Sequence, residues 1–128
     1  MALPNGAGGY QVGDGNTNEV QLITQTAPAA FTAAATITAA DLTDGIITLT
    51  AGSDQSLQLP TAAAVDTLVS SAKVNSAFVF SVIALGAGGA TLTTNTGWTL
   101  VGVTKVTASN RYLARKTGDA TWTLYQIG

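Results

Sequence analysis

Two glycine clusters, Gly6-Ala7-Gly8-Gly9 and Gly86-Ala87-Gly88-Gly89, are the first residues whose spacing suggests chemistry. Successive backbone N–H groups in a glycine-rich turn can cradle a phosphate, above all directly after a strand. Neither cluster completes GxGxxG, because Thr91 stands where the third glycine of the second belongs, and no Gly-Lys is followed by Ser or Thr. Both clusters are therefore expected to be loops. Carboxylates are the next candidates, since a pair of them can do general acid–base work or hold calcium. Glu19, Asp41, Asp44, Asp54, Asp66 and Asp119 each fall at an expected turn, cap or helix face, without calcium-loop spacing. The chain has no His and no Cys. The usual zinc, haem, iron–sulfur and copper ligand sets are thus missing, as are the Ser-His and Cys-His nucleophile pairs. The expectation is a non-enzyme that uses no cofactor and no metal.

Arg111, Arg115 and Lys116 place three of the five positive charges within six residues. On a strand, Arg111 and Arg115 share one face. They are expected to be surface charges that guard an edge strand or contact an acidic protein neighbour. Trp98, Trp122, Tyr112 and Tyr125 could stack on sugars, but each lies inside a strand-like run, where packing is the commoner role. Charged residues make up 9% of the chain and its net charge is −2. Without a basic stripe there is little attraction to nucleic acid or to an anionic membrane. Ala and Thr, at 22 and 21 copies, fill the space that charges leave. A surface of Thr, Ser, Asn, Gln and backbone suits lasting contact with other protein.

The elements that must position these residues can be read from periodicity. Residues 1–19 hold five Gly, one Pro and four Asn or Asp with no hydrophobic period, so they form an arm, with Leu3, Tyr10 and Val12 spaced as anchors for a partner surface. These residues lack the basic n-region and apolar core of a signal peptide, and no run reaches the 18 apolar residues of a spanning helix. Residues 20–128 form one domain. Short runs rich in Val, Ile, Thr and aromatics follow: Val20 to Thr24, Ala33 to Thr38, Gly45 to Thr50 and Gln55 to Leu59. Thr38 and Asp41 read as a capping box for one helical turn that stops at Asp44-Gly45. Val65, Leu68, Val69 and Ala72 repeat at helical spacing and predict a short α-helix over about 61–72. Ser76 to Leu85 is apolar on both faces, which predicts a strand buried on both. Ala90 to Thr94, Trp98 to Val101, Val103 to Thr107, Asn110 to Lys116 and Thr121 to Ile127 complete nine or ten strands with turns at close intervals. The fold class is mainly all-β, an antiparallel jelly-roll-like β-sandwich with one short helix.

Gln58-Leu59-Pro60-Thr61-Ala62-Ala63-Ala64, then Ala77 to Ile83, Gly97-Trp98-Thr99-Leu100-Val101-Gly102 and the closing Arg111 to Gly128 occur in an order that resembles small structural proteins of tailed phages. The likeness is to trimeric capsid decoration (cement) proteins and related head-fibre domains, and covers about residues 36–128. It implies a homotrimer on the outer surface of the virion capsid that binds the major capsid protein and stabilises the head. Leu3, Tyr10 and Val12 would then meet the capsid. Arg111, Arg115 and Lys116 would contact protein. The alternative is a receptor- or carbohydrate-binding domain of a head or tail fibre, with Trp and Tyr at loop tips. The resemblance implies no catalytic residue.

Overall fold

The computed structural model describes residues 22–128. The arm, with Leu3, Tyr10, Val12 and the first glycine cluster, lies outside the described residues, as do the first two residues of the strand expected over 20–24. Its remainder, Leu22 to Thr24, is not in a strand.

Ten strands and two helices follow: β1 (Ala29–Phe31), β2 (Ala35–Thr36), α1 (Ala39–Asp44), β3 (Ile46–Leu49), β4 (Gln55–Gln58), α2 (Ala62–Leu68), β5 (Ala77–Ala84), β6 (Ala90–Thr93), β7 (Trp98–Val101), β8 (Lys105–Val106), β9 (Ser109–Gly118) and β10 (Thr121–Gln126). The protein is mainly β. A six-stranded sheet in the order β1-β3-β5-β9-β10-β7 faces a four-stranded sheet in the order β2-β4-β6-β8. Alternate side chains from both inner faces share one core, including Ile47, Leu49, Phe80 and Val82 from the larger sheet and Leu57, Leu92 and Val106 from the smaller.

The chain reaches this arrangement by coiling. β1, β3 and β5 lie in the larger sheet while β2, β4 and β6 lie in the smaller, so each coil crosses from one sheet to the other and back. Within each sheet successive coils pair in parallel: Ala29, Ile47 and Val82 form one row, and Ala35, Leu57 and Leu92 another. The expectation of an antiparallel sandwich is corrected here, because β7 and β10 also pair in parallel and only β5–β9, β9–β10 and β6–β8 are antiparallel. Parallel neighbours need a crossover connection. α1 and α2 supply two of them, each returning the chain from the smaller sheet to the larger. The half-buried alternation of these strands is the same for either direction of pairing, so side-chain period alone could not separate the two.

Both helices start where the sequence says. Thr38 Oγ1 accepts from Asp41 N at 3.1 Å, and Gly45 at φ 100° closes α1 in the left-handed conformation that glycine adopts without strain. Thr61 Oγ1 accepts from Ala64 N at 3.2 Å to open α2. α2 ends at Leu68, short of the expected 72, and Val69 leaves helical geometry at φ −108°, ψ 58°. One turn fewer suffices because Ala62 and Val65 are its buried residues, while Leu68 is exposed.

Candidate functional site

The second glycine cluster is a packing device. A Cβ on Gly86 would stand 2.2 Å from Ala51 O, and one on Gly88 would stand 1.9 Å from Ser53 O, so the turn after β5 lies directly on the turn after β3. Gly88 N donates to Ala51 O at 2.9 Å and Gly89 N donates to Asp54 Oδ1 at 2.8 Å. These N–H groups are engaged within the chain, and no phosphate cradle forms. Lys105 Nζ lies 2.7 Å from Asp54 Oδ2, and this contact together with the Gly89 N–H holds the Asp54 carboxyl below the usual range.

The three clustered cations separate by strand parity. β9 alternates inward Tyr112, Ala114 and Lys116 with outward Arg111, Leu113 and Arg115. Lys116 is buried and reaches Asp66 Oδ1 on α2 at 3.0 Å. The same carboxylate accepts from Trp122 Nε1 at 2.8 Å and from Ala120 N at 2.6 Å. Burial alone would raise the Asp66 carboxyl, but these hydrogen bonds and the Lys116 charge hold it below its ordinary value. Lys116 is thus a structural cation joining α2 to the β9–β10 hairpin. Nor does any of the three protect an edge: β9 lies between β5 and β10, and the edges of the larger sheet are β1 and β7.

The aromatics divide likewise. Trp98, Trp122 and Tyr112 are core residues, with Trp98 Nε1 donating to Pro60 O at 2.7 Å and Tyr112 Oη donating to Val103 O at 2.9 Å. Burial raises the Tyr112 hydroxyl above its usual pKa, against the hydrogen bond from Asn110. Only Tyr125 turns outward, half-buried, where Arg115 Nε and Nη2 donate to its hydroxyl at 3.1 and 2.8 Å and Arg115 Nη1 donates to Asn75 Oδ1 at 2.8 Å.

What the structure brings together is the outer face of the larger sheet. β5 is buried on one side only: Phe80 and Val82 enter the core, whereas Ala77 and Val79 are exposed and Ile83 is half-buried. This corrects the strand expected to be covered on both faces. Register places Val101, Tyr125, Leu113 and Val79 side by side on β7, β10, β9 and β5, an apolar row about 14 Å long at the usual strand spacing. Val79 is 37% and Val101 48% exposed. Arg111 and Arg115 flank Leu113 along β9. No carboxylate occupies an outward position on any of these four strands. The sequence carried this signal in the second apolar face of Ser76 to Leu85, which is more apolar surface than one sandwich covers.

Among the described residues no group of three or more His, Cys, Asp or Glu gathers to hold a metal, and no helix is long and apolar enough to cross a membrane. No protein-family model, curated protein or solved structure matches the chain.

Proposed function

We propose that this chain is a phage capsid decoration protein, a homotrimer that binds the major capsid protein on the outer surface of the head and stabilises it. The observation that carries the reading is the apolar row Val101–Tyr125–Leu113–Val79 on a sheet whose other face lines the buried core. A surface of that composition is stabilised by contact with protein, at roughly 25 cal/mol per Å² of apolar area removed from water. Association of many copies with a shell adds buried area between capsomers, and anything that binds only the assembled state stabilises it. The ordered motifs from Gln58 to Gly128 support the same reading. The jelly-roll pairing of such proteins does not, since this chain has two facing sheets but mostly parallel coils.

Attachment to the head falls to the arm, with Leu3, Tyr10 and Val12 as apolar anchors and main-chain pairing at a capsid edge. The fibre-domain alternative has less to stand on, because of Trp98, Trp122, Tyr112 and Tyr125 the first three are core residues and only the last turns outward. No catalysis and no cofactor belong to the proposal. Heads stripped of this protein, mixed with the purified chain and then heated or osmotically shocked, test it. Saturable binding at hundreds of copies with greater resistance to rupture is the expected result. Binding to host cells or glycans without binding to heads would replace it with the fibre reading.

A further inference from the structure

The charges of this chain are segregated along its length. All five Lys and Arg lie at residue 73 or later, and six of the seven carboxylates lie before it. Among the described residues, two carboxylates are consumed internally, Asp54 by Lys105 and Asp66 by Lys116. Asp41 and Asp44 on α1 have no ion-pair partner among those residues, and neither do Arg111 and Arg115 on the outer sheet face. Arg115 spends its donors on Tyr125 and Asn75, which leaves Arg111 as the exposed cation beside the apolar row.

The α1 corner is apolar as well as acidic. Gln25 is hydrogen-bonded through Nε2 to Asp44 O, and the two residues that precede Thr24, Leu22 and Ile23, are 89% and 86% exposed. The segment tied to the end of α1 by Gln25 therefore carries exposed aliphatic side chains beside an acidic helix, and the outer sheet face carries an aliphatic row with arginines. A homotrimer closes only through a heterologous contact, in which one patch of each copy meets a different patch of the next.

We propose that a second copy of this chain covers the outer face of the six-stranded sheet, seating its Leu22–Ile23 and Asp41–Asp44 corner on the Val79–Leu113–Tyr125–Val101 row and beside Arg111. The inference deepens the proposed function by giving its trimer an interface, and rests on that reading only for the number three. Leucine and isoleucine leave water against the row, while opposite charges fix which patch meets which.

The test is sedimentation of the full chain with paired charge reversals. Arg111→Glu and Asp44→Lys alter side chains with no ion-pair partner among the described residues, and Lys at the last turn of α1 suits the helix dipole, so both variants should melt with the wild type. Each alone should weaken self-association about tenfold or more, and the double variant should recover to within about threefold of wild type, because each reversed face then meets a reversed corner. Leu22→Ser with Ile23→Ser should weaken it without any salt dependence. A wild-type monomer at all concentrations overturns the proposal, as does a double variant no better than the singles. Binding to stripped heads is measured on the same samples. A trimer that follows the charge swap yet ignores heads keeps this interface and removes the capsid assignment. Head binding by a chain whose assembly is indifferent to the swap removes the interface alone.

Discussion

Lys116 turns inward from β9 into a sheet interior, and it is tolerated there because Asp66 meets it with a carboxylate that Trp122 and Ala120 also bond. Their side chains are 11% and 21% exposed, so removing one partner leaves the other poorly solvated. Asp66→Asn should cost about 2–3 kcal/mol in urea unfolding at neutral pH, below the figure for a fully buried pair because some water reaches this one. The pH dependence has a definite sign. The folded carboxyl titrates below its unfolded value, so its contribution is complete above about pH 4 and is lost as pH falls from there through the folded pKa. Wild type and Asp66→Asn should therefore converge in melting temperature in acid, and a difference that stays constant down to the acid limit would contradict the assignment. The sequence placed Lys116 in a cationic cluster because three charges in six residues look like one surface. Strand parity separates them, and the inward position of Lys116 becomes intelligible only once Asp66 is known to sit above it on α2.

Stacked turns are the feature of the elements that sequence periodicity could not supply. Alternation marked most of the strands, as in Leu57 and Leu59 between Gln and Ser, or Arg111 and Arg115 on one face of β9. It could not say that β1, β3 and β5 run the same way, since that depends on α1 and α2 carrying the chain back beneath the core. The glycines after β5 were the available signal, because close backbone approach between coils demands them. Gly88→Ala should destabilise the fold by about 3 kcal/mol or prevent it, as its Cβ would fall 1.9 Å from Ser53 O. Gly52→Ala, in the turn beneath, has nothing within 4 Å of the added carbon and should change stability by less than about 0.5 kcal/mol. Equal losses in chemical denaturation would show that the stacking is not what requires glycine. The same reasoning explains β5: two apolar faces in sequence meant one for the core and one left outside.

For the whole molecule, the core found among the described residues runs from Ile37 to Leu124, and residues 1–19 carry only Asp14 and Glu19 as charged side chains. Deleting residues 1–19 should leave the melting temperature nearly unchanged and the trimer intact, while binding to stripped heads weakens with little dependence on salt. Full occupancy by the truncated chain would move attachment to the sheets. Cryo-electron microscopy of the intact virion is the decisive measurement for a decoration trimer on the head. Density for three copies is expected at three-fold or quasi-three-fold positions over the whole outer surface, with the six-stranded sheet of each copy covered by its neighbour. A few copies confined to a tail or fibre, or a bare capsid surface, would contradict it.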